Sequence, residues 1–147
     1  MLKRLFDLAL SVACLVVMSP LFAIIAVCIK AESDGSVFYR SARIGLHGIP
    51  FRIFKFRTMV MGADASGVSS TPSDDPRITR VGAFLRTYKL DELPQLINVV
   101  RGEMSIVGPR PQVPWAVARY DDREWRLIVT VRPGLTDPAS VRFANEG

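Results

Sequence analysis

The residues best suited to chemistry in this chain are two adjacent carboxylates, Asp91 and Glu92, followed at once by Leu93 and Pro94. A proline in a first turn gives up no helical hydrogen bond, so the run predicts a helix beginning at Asp91 or Glu92. There the positive end of the helix macrodipole keeps a carboxylate ionised, as a nucleophile or a metal ligand must be, and free backbone N–H groups attract phosphate. Helical neighbours point about 100° apart, so one carboxylate can face a reacting atom while the other faces a metal. The structural alternative is that Asp91 is an N-cap and Glu92 a favourable first-turn residue. Candidate anion-binding groups are Arg110, between Pro109 and Pro111, with Lys55 and Arg57 on a predicted strand and Arg80, Arg86 and Lys89 on a predicted helix, all of which a solvated face would equally explain. A guanidinium fixed between two prolines loses little freedom on binding phosphate, although a rigid turn with an ion-paired arginine would read the same way. Arg132, Pro133, Gly134, Leu135 and Thr136 form a turn signature with a cation at its head. A single histidine, His47, and two cysteines, Cys14 and Cys28, cannot assemble a zinc site, and the cysteine usage reads as a reducing compartment.

These side chains must be positioned by one core, because 147 residues leave no room for a second. The expected organisation is a single domain over 1–147, with a membrane helix over 1–31 and a catalytic part over 32–147. Nineteen Lys and Arg against 14 Asp and Glu give a charge of +5, and 15 of the 19 are arginine, a bias toward carboxylate and phosphate partners. Apolar residues at 49% and charged residues at 22% exclude a disordered or collagen-like chain. Leu8 to Ile29 are 22 residues without a charge, roughly 33 Å as a helix and just enough to cross a bilayer. Ser19 and Pro20 interrupt this run, while Lys3 and Arg4 precede it and Lys30 follows. Basic residues at both ends favour retention of both ends on one side, so the reading is a re-entrant helix that bends at Pro20. Pro20 frees the carbonyl of Val16, and the Ser19 hydroxyl can occupy that carbonyl or a neighbour. A straight crossing, a cleaved leader and a buried core helix are the alternatives.

The remaining chain predicts an α+β fold, mainly helical. Val37 to Gly45 and Ile49 to Met59 read as a β-hairpin around Leu46, His47 and Gly48. Alternation shifts phase at Phe54 and Phe56, which predicts a bulge that aims Lys55 and Arg57 onto one face. Gly62 to Asp75 has no apolar period and reads as a loop able to act as a lid. Thr79 is an N-cap candidate for a helix to about Lys89 with Val81, Phe84, Leu85 and Tyr88 in its apolar period, leaving Arg80, Arg86 and Lys89 for solvent or a ligand. Leu93, Leu96, Ile97 and Val100 form the stripe of the next helix, which Gly102 ends. A third helix is expected from Pro114 to about Val131, with Trp115 and Trp125 suited either to a headgroup layer or to ordinary packing.

Taken together and in this order, the pieces resemble the bacterial sugar transferases, the small monotopic phosphoglycosyl transferases that start polysaccharide and glycoconjugate assembly. The resemblance rests on Lys3, Arg4, Phe6 and Asp7; Ser19 and Pro20; Lys55 to Met59; Leu90 to Gln95; Met104 to Pro111; and Arg132 to Thr136. It implies that a UDP-sugar gives its sugar phosphate to a polyprenol phosphate such as undecaprenyl phosphate, leaving UMP, at the cytoplasmic face of the bacterial inner membrane. It implies further that Asp91 is the nucleophile, that Asp91 and Glu92 hold Mg²⁺, and that Lys55, Arg86 and Arg110 bind phosphates or the developing charge. Family members often have Gly where Asp137 follows Thr136, and they commonly continue beyond Asn145, Glu146 and Gly147, so a missing C-terminal element is expected. The competing reading is a non-catalytic, membrane-attached scaffold that binds anionic lipid. Nucleic-acid binding is disfavoured because the cations are scattered and the apolar start has no use there.

Overall fold

The uncharged run becomes the larger part of α1, a helix over Leu2–Glu32 in the computed structural model, which describes residues 1–63 and 75–137. It is long and apolar enough to cross a membrane. The helix continues through Pro20, and the Ser19 hydroxyl donates to the Val16 carbonyl at 2.8 Å, supplying the partner that the proline cannot. Both ends of α1 are fastened to the rest of the chain. At the first turn, Arg4 donates to the carbonyls of Val99 and Val100 at 2.7 and 3.1 Å, and the buried Asp7 accepts from Ser105 Oγ at 2.7 Å. At the other end, Glu32 accepts from the N–H groups of Arg80 and Val81 at 2.7 and 2.9 Å. The buried Arg57 caps the end of α1 through the carbonyls of Ser33 and Asp34.

Two strands, β1 over Phe38–Ile44 and β2 over Pro50–Phe56, form the expected antiparallel hairpin, turned by His47 and Gly48 at positive φ. Its register runs without interruption from Phe38 opposite Phe56 to Ile44 opposite Pro50, so the bulge inferred from the phase shift is absent. The shift has another cause: β2 is covered on both faces. Phe56 packs with Ile25, Ile29 and Leu85 on the α1 side, while Ile53 packs with Val99 and Met104 on the other. A strand between two apolar layers does not alternate polar and apolar residues.

Thr79 caps α2, Arg80–Thr87, by accepting from the Gly82 N–H at 2.9 Å. Leu85 packs inward, but Phe84 and Tyr88, expected in the same stripe, are exposed with their rings 4.8 Å apart. Lys89, at φ 57°, reverses the chain into a single 3₁₀ turn over Leu90–Glu92, and the next α-helix, α3, spans only Gln95–Arg101. The carboxylates therefore precede the helix instead of opening it. Of the expected stripe Leu96 is buried, while Leu93, Ile97 and Val100 are half-buried and Gln95, Asn98 and Val99 turn inward instead. Asn98 explains the difference. Its Oδ1 accepts from Phe54 N at 2.8 Å and its Nδ2 donates to the Arg52 carbonyl at 2.9 Å, so the helix turns this side chain inward to satisfy the free edge of β2. Gly102, at φ 84°, ends α3 as expected.

Ser105–Val107 forms β3, which pairs in parallel with β4, Gly134–Thr136, so the Arg132 to Thr136 run is a strand entry and not only a turn. The long third helix is in fact two pieces, a 3₁₀ stretch over Pro114–Arg119 and α4 over Asp122–Ile128. Asp121 separates them by accepting from the N–H groups of Arg123 and Glu124 at 2.8 and 2.7 Å, an N-cap that starts a new helix. The lid inferred from Gly62 to Asp75 lies mostly outside the described residues, as do Pro138, Ala139, Ser140 and the last residues of the chain.

Candidate active site

Asp91 is drawn inward by its 3₁₀ turn to 8% exposure, and Glu92 beside it is half-buried. Lys55 reaches them from β2, its Nζ 2.5 Å from Glu92 Oε1. The Asn98 bonds to β2 place α3 and its preceding turn against the strand that carries Lys55. Arg110 arrives from the other side, with Nη2 4.0 Å from the same Glu92 oxygen and a side chain 68% exposed. Its segment is set by the parallel strands. Gly108 N donates to Thr136 O at 3.1 Å and Gly134 N to Pro109 O at 2.9 Å. A Cβ on Gly108 would collide with the Arg132 carbonyl, and one on Gly134 with Gly108 itself, so the two motifs meet backbone to backbone. Arg86, half-buried on α2, brings a further positive charge to bear on Asp91.

The two carboxylates differ electrostatically. Burial pushes Asp91 above its ordinary value of 3.8, opposed by Lys55, assisted by the negative charge of Glu92, and opposed again by Arg86. Burial also works against ionised Glu92, yet the charge and hydrogen bond of Lys55, followed by Arg110 and Lys89, outweigh it and hold Glu92 below the ordinary carboxylate range. A carboxylate that is poorly solvated and only partly compensated is a stronger nucleophile than one fully hydrogen-bonded, while Glu92 stays ionised as the anchor of the cations.

The five residues singled out in the sequence, Lys55, Arg86, Asp91, Glu92 and Arg110, thus share one site. Arg57 does not join them, because it is spent on the end of α1. Arg4 and Arg132 also serve the fold: they donate to carbonyls at the C-terminal end of α3, Arg132 Nε reaching Gly102 O at 2.8 Å. Ser19 and Pro20 lie in the exposed middle of α1. The cation that sequence reading missed is Arg43 on β1. It is half-buried, and burial pushes its guanidinium down from the ordinary value, with Tyr39 and Glu92 opposing that shift and Arg110 adding to it. An arginine so perturbed remains charged at neutral pH. Its only local signal is strand parity, which puts it on the same face as Lys55.

Among the described residues no three His, Cys, Asp or Glu side chains gather at one point. The site therefore offers two hard-oxygen groups and a set of cations, an arrangement for phosphate chemistry and not for a pre-built metal cage.

The chain is 43% identical to a UDP-glucose:undecaprenyl-phosphate glucose-1-phosphate transferase of Caulobacter vibrioides, across 99% of this chain and 55% of that protein. It is 42% identical to the exopolysaccharide production protein ExoY of Sinorhizobium fredii, across 91% of this chain and 66% of that protein. With an undecaprenyl-phosphate glucose phosphotransferase of Komagataeibacter xylinus the identity is 46%, across 95% and 27%. The chain thus spans less than two thirds of the length of each of these relatives. The family described as bacterial sugar transferase matches residues 1–147, the whole length of the chain, and the chain belongs to the bacterial sugar transferase family.

Proposed function

We propose that this chain transfers a sugar phosphate from a UDP-sugar to undecaprenyl phosphate or a similar polyprenyl phosphate, releasing UMP. The observation that carries this reading is a desolvated Asp91 under the charges of Lys55 and Arg86, next to a Glu92 that Lys55 and Arg110 approach, on a chain that also has a membrane-length apolar helix. Asp91 attacks the sugar-bearing phosphorus, the bond to the nucleotide phosphate breaks, and UMP leaves with the electron pair. A phosphate oxygen of the lipid then attacks the phosphosugar on Asp91 and restores the carboxylate. Lys55, Arg86 and Arg110 neutralise the phosphate oxygens, which is the main work of phosphoryl transfer. Asp91 and the free oxygen of Glu92 are hard ligands that suit Mg²⁺ arriving with the diphosphate, and such an ion supplies further charge neutralisation.

The names of the relatives support the lipid acceptor and the sugar donor. The docking of α1 supports a re-entrant anchor. Arg4 and Asp7 bind α3 and β3, while Ile25, Ile29 and Glu32 bind α2 and β2, so one body holds both ends of the helix. A straight crossing would separate those ends by about 30 Å of hydrocarbon. With both ends on one side, the cytoplasmic face of the inner membrane, the site stays beside the headgroups, where a soluble nucleotide and a lipid phosphate both reach it. Purified chain with Mg²⁺, a panel of UDP-sugars and undecaprenyl phosphate is expected to release UMP, and both chelation by EDTA and Asp91→Asn are expected to stop it. Full turnover by the Asp91→Asn variant would remove Asp91 from the role.

A further inference from the structure

The cations of the site are not distributed evenly between its two carboxylates. Asp91 feels the charges of Lys55 and Arg86. Glu92 feels Lys55, Arg110 and Lys89, and Arg43 feels Arg110 and Glu92. Glu92 Oε1 lies 2.5 Å from Lys55 and 4.0 Å from Arg110, so it joins the Lys55 side of the site to the segment that carries Arg110.

The hairpin accounts for the place of Arg43. Tyr39 pairs with Lys55 and Arg43 with Phe51 in an unbroken register, so Arg43 and Lys55 project from the same face, four residues apart along the sheet. That spacing is about 13 Å at about 3.3 Å per residue. Arg40, of opposite parity, lies over the Phe54 ring at 3.6 Å on the other face. At the Arg43 end, Ile44 N donates to the Gln112 carbonyl at 2.8 Å, and Gln112 Nε2 donates to the Arg110 carbonyl at 3.0 Å, so β1 is tied to the segment that carries Arg110. The segment that carries Arg110 is thereby held beside the end of β1 that carries Arg43, whose Nη1 donates to the Ala42 carbonyl at 2.9 Å. The carboxylate the two arginines share is Glu92, whose Oε1 already lies 2.5 Å from Lys55. Such an excess of planar cations matches an anion with several oxygens, because each guanidinium can make paired hydrogen bonds to it.

Resting on the sugar-phosphate transfer reading, we propose that Arg43, together with Arg110, holds the nucleotide-side phosphate of the donor diphosphate, at the end of the site away from Asp91. In-line displacement puts the nucleophile and the leaving oxygen on opposite sides of the attacked phosphorus. As the bond from Asp91 to that phosphorus forms, the bridging P–O bond breaks and its electron pair passes to the departing UMP. The new charge falls between Arg43 and Arg110, while Lys55 and Arg86 stay with the phosphosugar. Arg43 therefore acts in the first half of the reaction and not in the second.

The test uses the full chain in detergent with three readouts: UMP affinity by calorimetry, exchange of labelled UMP into UDP-sugar, and single-turnover discharge of a preformed phosphosugar to undecaprenyl phosphate. Arg43→Gln is expected to weaken UMP binding by about tenfold and slow the exchange about a hundredfold, with discharge unchanged. Arg43→Lys, which keeps the charge but not the paired donors, is expected to fall between that variant and the parent. UMP binding and exchange within twofold of the parent in Arg43→Gln would overturn the proposal, and so would an equal loss of exchange and discharge, the mark of a structural role. If the parent exchanges UMP and Arg43→Gln exchanges it equally well, the sugar-phosphate transfer reading stands without this proposal. If the parent neither binds nor exchanges UMP with any UDP-sugar, both fall together.

Discussion

At Asp91 the chain keeps a carboxylate where burial favours the neutral form, and it places the compensating cations one residue away, on Glu92. This has a consequence for stability. An acid whose folded pKa lies above its unfolded value costs stability once ionised, so stability falls as pH rises through the interval between the two values. For Asp91 that interval begins near 3.8 and extends upward, whereas the stabilisation from Glu92 is present at higher pH and lost as pH falls through its depressed value. Asp91→Asn removes the first effect. The inactive variant is expected to melt about 2–5 °C above the parent at neutral pH, with the gap closing toward about pH 4 in melts across that range. A variant that melts below the parent at every pH would mean that ionised Asp91 stabilises the fold. At this scale Asp91, Glu92 and Arg110 stood out by residue type and neighbours, whereas Lys55 and Arg86 were singled out from the other cations only by the family resemblance. Arg43 was not, because nothing beside it in the chain distinguishes it from Arg40, which lies over a phenylalanine on the opposite face.

The elements that present these side chains are short, and their placement depends on a few backbone contacts. Gly108 and Gly134 permit β3 and β4 to approach so closely that Gly134 N bonds to Pro109 O, one residue before Arg110. Gly134→Ala adds a methyl group that the Gly108 backbone must yield to. It is expected to cost about 1–3 kcal/mol of stability and, by displacing Arg110, to raise the KM for UDP-sugar at least as much as it lowers kcat. Denaturant melts and UMP-release kinetics measure the two effects. An unchanged KM would separate Arg110 from the strand pair. The errors in reading elements from sequence share a cause. The inferred bulge, the wrong stripe on α3 and the unbroken third helix all came from assigning each segment one solvent face. β2 is buried on two faces, Asn98 is turned inward to bond with β2, and Asp121 starts a helix of its own.

For the whole molecule, the decisive feature is that α1 is gripped near both termini by one body, through Arg4 and Asp7 at the start and Ile29 and Glu32 at the end. The proposed re-entrant anchor puts both ends on one side of the bilayer. Single cysteines introduced at Lys3 and Ser33, in a chain with Cys14 and Cys28 replaced, are expected to resist a reagent confined to the outer side in intact cells and to react once the cells are opened. Labelling of either position in intact cells would mean that the helix crosses.

By itself the sequence determined the membrane-length apolar run, the hairpin, the cap at Thr79, the stop at Gly102 and the adjacent acidic pair, because these depend on residue type and on near neighbours. The tertiary structure alone decided which arginines serve the site and which hold the fold. Arg4, Arg57 and Arg132 have the same side chain as Arg43 and Arg110, but they end at backbone carbonyls of helix termini. A guanidinium satisfies a helix end and a phosphate equally well, so its role is set by what lies within reach of its nitrogens, and for these three arginines residues 23 to 96 positions away in the chain determine that.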